Sequence, residues 1–185
     1  PWLVHQLAVY LKEKYNKEIV AWDELIETKT DNYWKRHKGE VSPLIMAWNL
    51  GLDGSGRWTN WTDVLAASKG FHSVIVPYNV LYLDWMQVGP DQADVNEGYR
   101  GGWGDNNVNS VEKIYKFDPL ERLRKAGKVE YGLGVQGNMW TETTNNNAEL
   151  EYQLLPRLLA LSEIAWLPHD KKEWLSFFYR LQAHR

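Results

Sequence analysis

No cysteine occurs among the 185 residues, which excludes disulfides and thiolate chemistry and is compatible with either redox compartment. No apolar run approaches the length that spans a bilayer, and PWLVHQLAVY at the start lacks the basic and apolar regions of a signal peptide. A membrane is not an expected partner. Basic residues are nowhere concentrated, and the formal net charge is -3, so a phosphate-binding face is missing and nucleic acid is not expected either. The five histidines, His5, His37, His72, His169 and His184, have no metal-ligand spacing, and no Gly-rich loop joins a strand to a helix. Neither a metal nor a cofactor is expected. Asn60-Trp61-Thr62 fits the glycosylation acceptor pattern, which is too short to carry weight. With Pro1 in first place instead of a methionine, we expect a natural amino terminus further upstream.

What is present is a globular composition, 44% hydrophobic and 24% charged, with an outlying count of 11 tryptophans and 10 tyrosines. Indole and phenol rings fill cores, and they are also the flat amphipathic surfaces on which sugar faces stack. Along the chain, helical and strand-like segments alternate. Trp2, Leu3, Leu7, Tyr10 and Leu11 fall at helical spacing before the β-branched EIVAW (18–22). VSPLIMAW (41–48), HSVIVP (72–77) and YGLGVQGNMW (131–140) read as further strands. TDVLAASKG reads as a helix ending at Gly70, and NLGLDGSG before it as turns. Helical material is expected over SVEKIYKFDPLERLRKAG, interrupted at Pro119, over EYQLLPRLLALSEIAW, interrupted at Pro156, and over DKKEWLSFFYRLQ. The segment from Val88 to Asn109 reads as one long loop. About four strand-helix alternations make parallel α/β the expected class, with no linker dividing residues 1–185.

Each strand end carries an aromatic, often beside an acid: Trp22-Asp23-Glu24, Trp48, Tyr82-Leu83-Asp84-Trp85 and Trp140-Thr141-Glu142. In a barrel-like sheet such ends converge on the face that holds active sites. Indole walls with a few carboxylates suit a sugar, whose C–H faces stack while its hydroxyls donate to charged acceptors.

LGVQGNMWTE followed by EYQLLPRLLALSEIAW resembles the carboxy-terminal part of the catalytic barrel of glycoside hydrolase family 20, the β-N-acetylhexosaminidases. IVAWDEL, LIMAW and YLDW resemble further segments of that family in the same order. The resemblance implies the carboxy-terminal half of a TIM barrel, about four of its eight strand-helix units, with the amino-terminal half absent. It implies a parent enzyme that removes terminal N-acetylglucosamine or N-acetylgalactosamine from glycans, without metal or cofactor. Its mechanism would be retaining and substrate-assisted, the 2-acetamido oxygen attacking the anomeric carbon. Trp22, Trp48 and Trp140 would wall the acetamido pocket, and Tyr82 would donate its hydroxyl to the acetamido oxygen. Asp84 and Glu142 would accept from the sugar's 4- and 6-hydroxyls, and Trp103 in the loop would stack on the leaving sugar. The family's general acid sits in an Asp-Glu pair on an earlier strand, which the resemblance places upstream of Pro1. Asp23-Glu24 match a different position, so that pair is not the catalytic one. An exported location is implied by the resemblance alone. The alternatives are a non-catalytic carbohydrate-binding protein using the same aromatic surface and a truncation product with neither activity. Two open barrel edges, on the strands ending at Trp22 and Trp140, lead us to expect self-association.

Overall fold

A computed structural model describes residues 1–26, 31–37, 39–52, 58–88, 108–142 and 144–183. The chain divides into two compact units, one comprising Pro1–Pro77 and Leu120–Gly134, the other Tyr78–Pro119 and Val135–Arg185.

The first unit opens with helix α1 (Trp2–Tyr15), which ends where Asn16 turns left-handed, at φ 49°, and its N–H returns to the carbonyls of Leu11 and Lys12. Then come strand β1 (Val20–Trp22), a 3₁₀ turn (Asp23–Ile26), α2 (Asp31–Arg36) and β2 (Leu44–Ala47). An antiparallel ribbon of β3 (Leu50–Leu52) and β4 (Trp58–Trp61) leads into α3 (Thr62–Ser68) and β5 (Ser73–Ile75). Helix α6 (Glu121–Lys125) and strand β6 (Gly132–Val135) complete it. The sheet order is β1-β2-β5-β6, with β1 and β2, and β2 and β5, paired in parallel. Strands therefore lie side by side in the order in which the chain makes them. A doubly wound sheet would reverse order at a switch point, whereas a barrel wall adds each strand next to its predecessor. Ile26, Trp34, Ile45, Ala66 and Phe71 form the buried core of this unit.

In the second unit, α4 (Tyr78–Leu81), α5 (Val111–Lys116), α7 (Asn147–Leu154), α8 (Arg157–Trp166) and α9 (Trp174–Gln182) bury Leu81, Leu83, Ile114, Tyr115, Ala160, Ile164 and Phe177 together. Local sequence explains the helix starts. The Ser110 hydroxyl accepts from Lys113 N–H to open α5, and the Asn146 side chain accepts from Glu149 N–H to open α7. No described helix is long and apolar enough to cross a membrane.

Three expectations need correction. The turn-rich NLGLDGSG contributes β3, because its backbone pairs with a partner six to eleven residues away, a condition invisible in the segment itself. The strand expected over 131–140 stops at Val135. Beyond it only an isolated bridge joins Asn138 to Tyr82, so Trp140 lies past the sheet and not at a strand end. Gly137 permits that passage: a Cβ there would come within 2.9 Å of Leu161 and 3.1 Å of Leu83. Finally, α1 is a helix as expected, but its buried residues are His5 and Ala8, while Trp2, Leu3, Leu7 and Tyr10 stay exposed.

Candidate functional site

In the first unit the chemistry gathers where β1 and β2 end. Trp22 lies opposite Met46 in the parallel register, and Trp48 follows two residues later. Asp23 and Glu24 leave the strand in a 3₁₀ turn, so they do not alternate across the sheet. The Asp23 carboxylate is buried and accepts from the backbone N–H groups of Trp48 and Asn49, 2.9 Å each, and from the Thr62 hydroxyl. Burial pushes its pKa up to about 6, against the pull of those hydrogen bonds. The bonds run to the end of β2 and the start of α3, so the geometry is that of a clamp joining two elements. Glu24 accepts from the Trp48 indole N–H at 3.2 Å. The adjacent acids thus hold Trp48 by its backbone and by its ring.

In the second unit the segment Tyr82-Leu83-Asp84-Trp85 runs beside Gly137-Asn138-Met139-Trp140. Leu83 N–H donates to the Asn138 carbonyl at 2.6 Å, and Asn138 N–H donates to the Leu81 carbonyl at 2.9 Å. This pairing brings the Tyr82 and Trp140 rings to 6.2 Å, tilted by 59°. Trp140 remains 40% exposed. Asp84 is buried, and its Oδ1 has no hydrogen-bond partner among the described residues. Burial raises its pKa to about 6; the nearby Glu142 charge adds to the rise and Arg157 opposes it. An acceptor oxygen kept dry and unpaired costs stability, about 1–3 kcal/mol, unless something donates to it. A sugar hydroxyl is such a donor. Four expected site residues, Tyr82, Asp84, Trp140 and Glu142, thus share the second unit. Trp22 and Trp48 belong to the first, and Trp103 lies outside the described residues.

Two residues that the sequence reading passed over hold this segment in place. Arg157 is fully buried. Its guanidinium donates to the carbonyls of Trp85 at 2.7 Å, Asn109 at 3.2 Å and Gln153 at 2.9 Å, to the Leu83 carbonyl, and to Gln153 Oε1 at 2.6 Å. The buried Asn109 side chain donates to the carbonyls of Tyr78 and Tyr82, at 3.2 and 2.9 Å. Together they satisfy successive carbonyls on both sides of Asp84. The signal in the sequence was an arginine opening the apolar run RLLAL at the head of RLLALSEIAW. A charge in that setting is retained only with dedicated acceptors.

The catalytic-domain profile of glycosyl hydrolase family 20 matches residues 1–169. The chain belongs to this family. Among curated relatives, a β-hexosaminidase of Porphyromonas gingivalis is 32% identical over 91% of the chain and 18% of its own length. β-Hexosaminidase B of Pseudoalteromonas piscicida is 54% identical over 82% of the chain and 23% of its own length. The chain therefore spans about a fifth of the length of these relatives. Two solved structures show the fold. An exo β-N-acetylglucosaminidase from Vibrio harveyi, in complex with N-acetylglucosamine, superposes with a TM-score of 0.67 at 24% identity, covering 99% of this chain and 26% of that one. A mutant Streptomyces plicatus β-hexosaminidase in complex with product gives 0.69 at 24% identity, covering 98% and 32%. Within this family, the chain's parallel strands and helices form part of a TIM barrel.

Proposed function

We propose that this chain forms part of a retaining exo-β-N-acetylhexosaminidase and supplies its sugar-holding residues. The supporting observation is Asp84: a buried carboxylate oxygen without a donor among the described residues, beside Glu142, on a segment whose neighbouring tyrosine faces an exposed tryptophan. In this reading Asp84 and Glu142 accept from hydroxyls of a terminal N-acetylhexosamine. Tyr82 donates to the acetamido oxygen, and Trp140 confines the acetamido group so that its oxygen lies near the anomeric carbon; for Trp22 and Trp48 a part in walling the acetamido group rests on the family resemblance alone. Orientation of that internal nucleophile is the chain's contribution to rate. Trp103 would extend the surface toward the leaving sugar. The general acid belongs to residues outside these 185, so the chain alone should turn over negligibly, a missing acid costing on the order of 100- to 10,000-fold.

The experiment uses the longer enzyme with aryl N-acetylglucosaminides and chito-oligosaccharides side by side. Trp140→Ala is expected to cripple both, whereas Trp103→Ala should weaken mainly the oligosaccharides, by the roughly 1 kcal/mol of one stacking platform. A Trp140→Ala enzyme with unchanged kcat/KM on the aryl substrates would remove that residue from the acetamido pocket. Glu24→Gln provides a second check. Its Oε1 still accepts from the Trp48 indole, so kcat/KM should fall less than about 10-fold, equally for good and poor leaving groups. A proton donor would instead lose activity selectively on poor leaving groups.

For the 185 residues by themselves we propose self-association. Val20 and Trp22 on edge strand β1 are 59% and 38% exposed, and Leu133 on edge strand β6 is 61% exposed. Unpaired strand edges flanked by apolar side chains seek another strand. Sedimentation should show dimers or larger species at micromolar concentration, and a stable monomer would reject this expectation.

A further inference from the structure

We propose that His5, His37 and Glu40 form a binding site for a divalent transition-metal ion of the zinc class. The three side chains come from positions with no ligand spacing in sequence: His5 from inside α1, His37 and Glu40 from the turn after α2. The fold brings one ligating atom from each within 4.8 Å of the others. His5 Nε2 lies 3.2 Å from one Glu40 oxygen, and His37 Nδ1 lies 3.0 Å from the other. Ligands around a tetrahedral zinc, with bonds of about 2.0–2.1 Å, stand roughly 3.3 Å apart. Each imidazole nitrogen stands at about that separation from a Glu40 oxygen, so small side-chain rotations would close two imidazoles and the carboxylate on one ion, with solvent in the fourth position.

A second observation concerns His5 itself. It is 2% exposed, and despite its closeness to Glu40 its Nε2 makes no hydrogen bond among the described residues. Its other nitrogen, Nδ1, sits 2.7 Å from the Tyr33 hydroxyl. A tyrosine oxygen accepting from Nδ1–H leaves the Nε2 lone pair free and aimed at the cluster, the arrangement by which an outer partner fixes a metal-binding imidazole. Edge contact with Tyr33 and Trp34, at ring separations of 5.7 and 6.3 Å, holds the His5 plane. The metal-free competitor is a carboxylate receiving N–H bonds from both imidazoles, which requires a proton on His5 Nε2. The chemistry of the donor set selects the ion: imidazole nitrogen with a single carboxylate suits zinc, cobalt or nickel, and is too nitrogen-rich for calcium or magnesium. Such an ion would tie α1 to the segment following α2.

The test uses the purified 185-residue chain, stripped with a chelator and titrated with zinc chloride or cobalt chloride. Its readouts do not involve sugar hydrolysis, so it stands apart from the hexosaminidase reading. One equivalent of cobalt should give the visible absorption of a four-coordinate site, and zinc should raise Tm in a concentration-dependent manner. His37→Gln and Glu40→Gln, at partly exposed positions where folding is least at risk, should each abolish both effects. Tyr33→Phe should keep the site but weaken it about 10-fold, as loss of an outer-shell partner does. His169→Gln, outside the cluster, should behave as the parent chain. No cobalt spectrum and no zinc-dependent Tm shift would overturn the proposal. Binding unchanged in His37→Gln and Glu40→Gln would overturn it too, as adventitious surface binding only.

Discussion

Arg157→Met is expected to destabilise the chain by about 3–5 kcal/mol, the cost of breaking a buried charged network by removing one member. Methionine nearly matches the volume but donates nothing. The carbonyls of Leu83, Trp85 and Asn109 then lose their guanidinium donor inside the core, and Asp84 loses its opposing charge. Against a typical total of about 5–15 kcal/mol, such a loss removes much of the margin of the fold. Arg157→Lys should recover only part of it, because an ammonium has three donors and no planar fork to span carbonyls pointing in several directions. Urea unfolding followed by tryptophan fluorescence measures both variants. A loss below about 1 kcal/mol for the methionine variant would show that the arginine's bonds are readily replaced by water.

Asp84→Asn is expected to trade activity for stability. In the longer enzyme it should lower kcat/KM about 100-fold or more, since one or two charge-assisted hydrogen bonds from sugar hydroxyls, roughly 1.5–3 kcal/mol each, become neutral ones. In the chain alone it should stabilise at neutral pH. The Asp84 carboxyl has an ordinary pKa of 3.8 and a folded value of about 6, so the folded state binds its proton more tightly than the unfolded state. Stability is therefore greatest below pH 4 as far as this group is concerned, declines as pH rises from about 4 to 6, and carries the full penalty above 6. That penalty is at most roughly 3 kcal/mol for a shift of about two units. Thermal unfolding at pH 4 and pH 7.5 should show Asp84→Asn gaining on the parent only at the higher pH. Asp23, raised to a similar value, will leave part of the pH dependence in place. An equal effect at both pH values would mean that the penalty does not come from ionisation. A variant that gained stability and kept full activity would remove Asp84 from the sugar site.

Much of the architecture was legible because local rules and tertiary structure agree. β-Branched and apolar runs became β1, β2, β5 and β6. Asn16, Gly70, Ser110 and Asn146 mark ends and starts by mechanisms that depend on only a few neighbouring residues. The aromatic and acidic residues that follow the strands were legible as a set, and four of them do share one unit. The geometry of the Asp23-Glu24 pair was not. The resemblance set Asp23 aside as a catalytic acid without giving it a role, and it is a clamp on Trp48, Asn49 and Thr62, 25 to 39 residues away.

The amino-acid order by itself determined the class, the alternation of strands with helices, and the family to which the chain belongs, since all three rest on periodicity and short contiguous motifs. Only the tertiary structure decided where polar atoms find partners. Whether Arg157 is a surface charge or the buried support of the Tyr82–Trp85 segment depends on carbonyls 48 to 74 residues distant. Whether His5 and His37 are solitary or face one carboxylate depends on how α1 lies against the segment after α2. The physical reason is the same in each case: a hydrogen bond or ligand bond is satisfied by proximity in space, and a charged side chain carries no mark in sequence of whether water or protein will surround it.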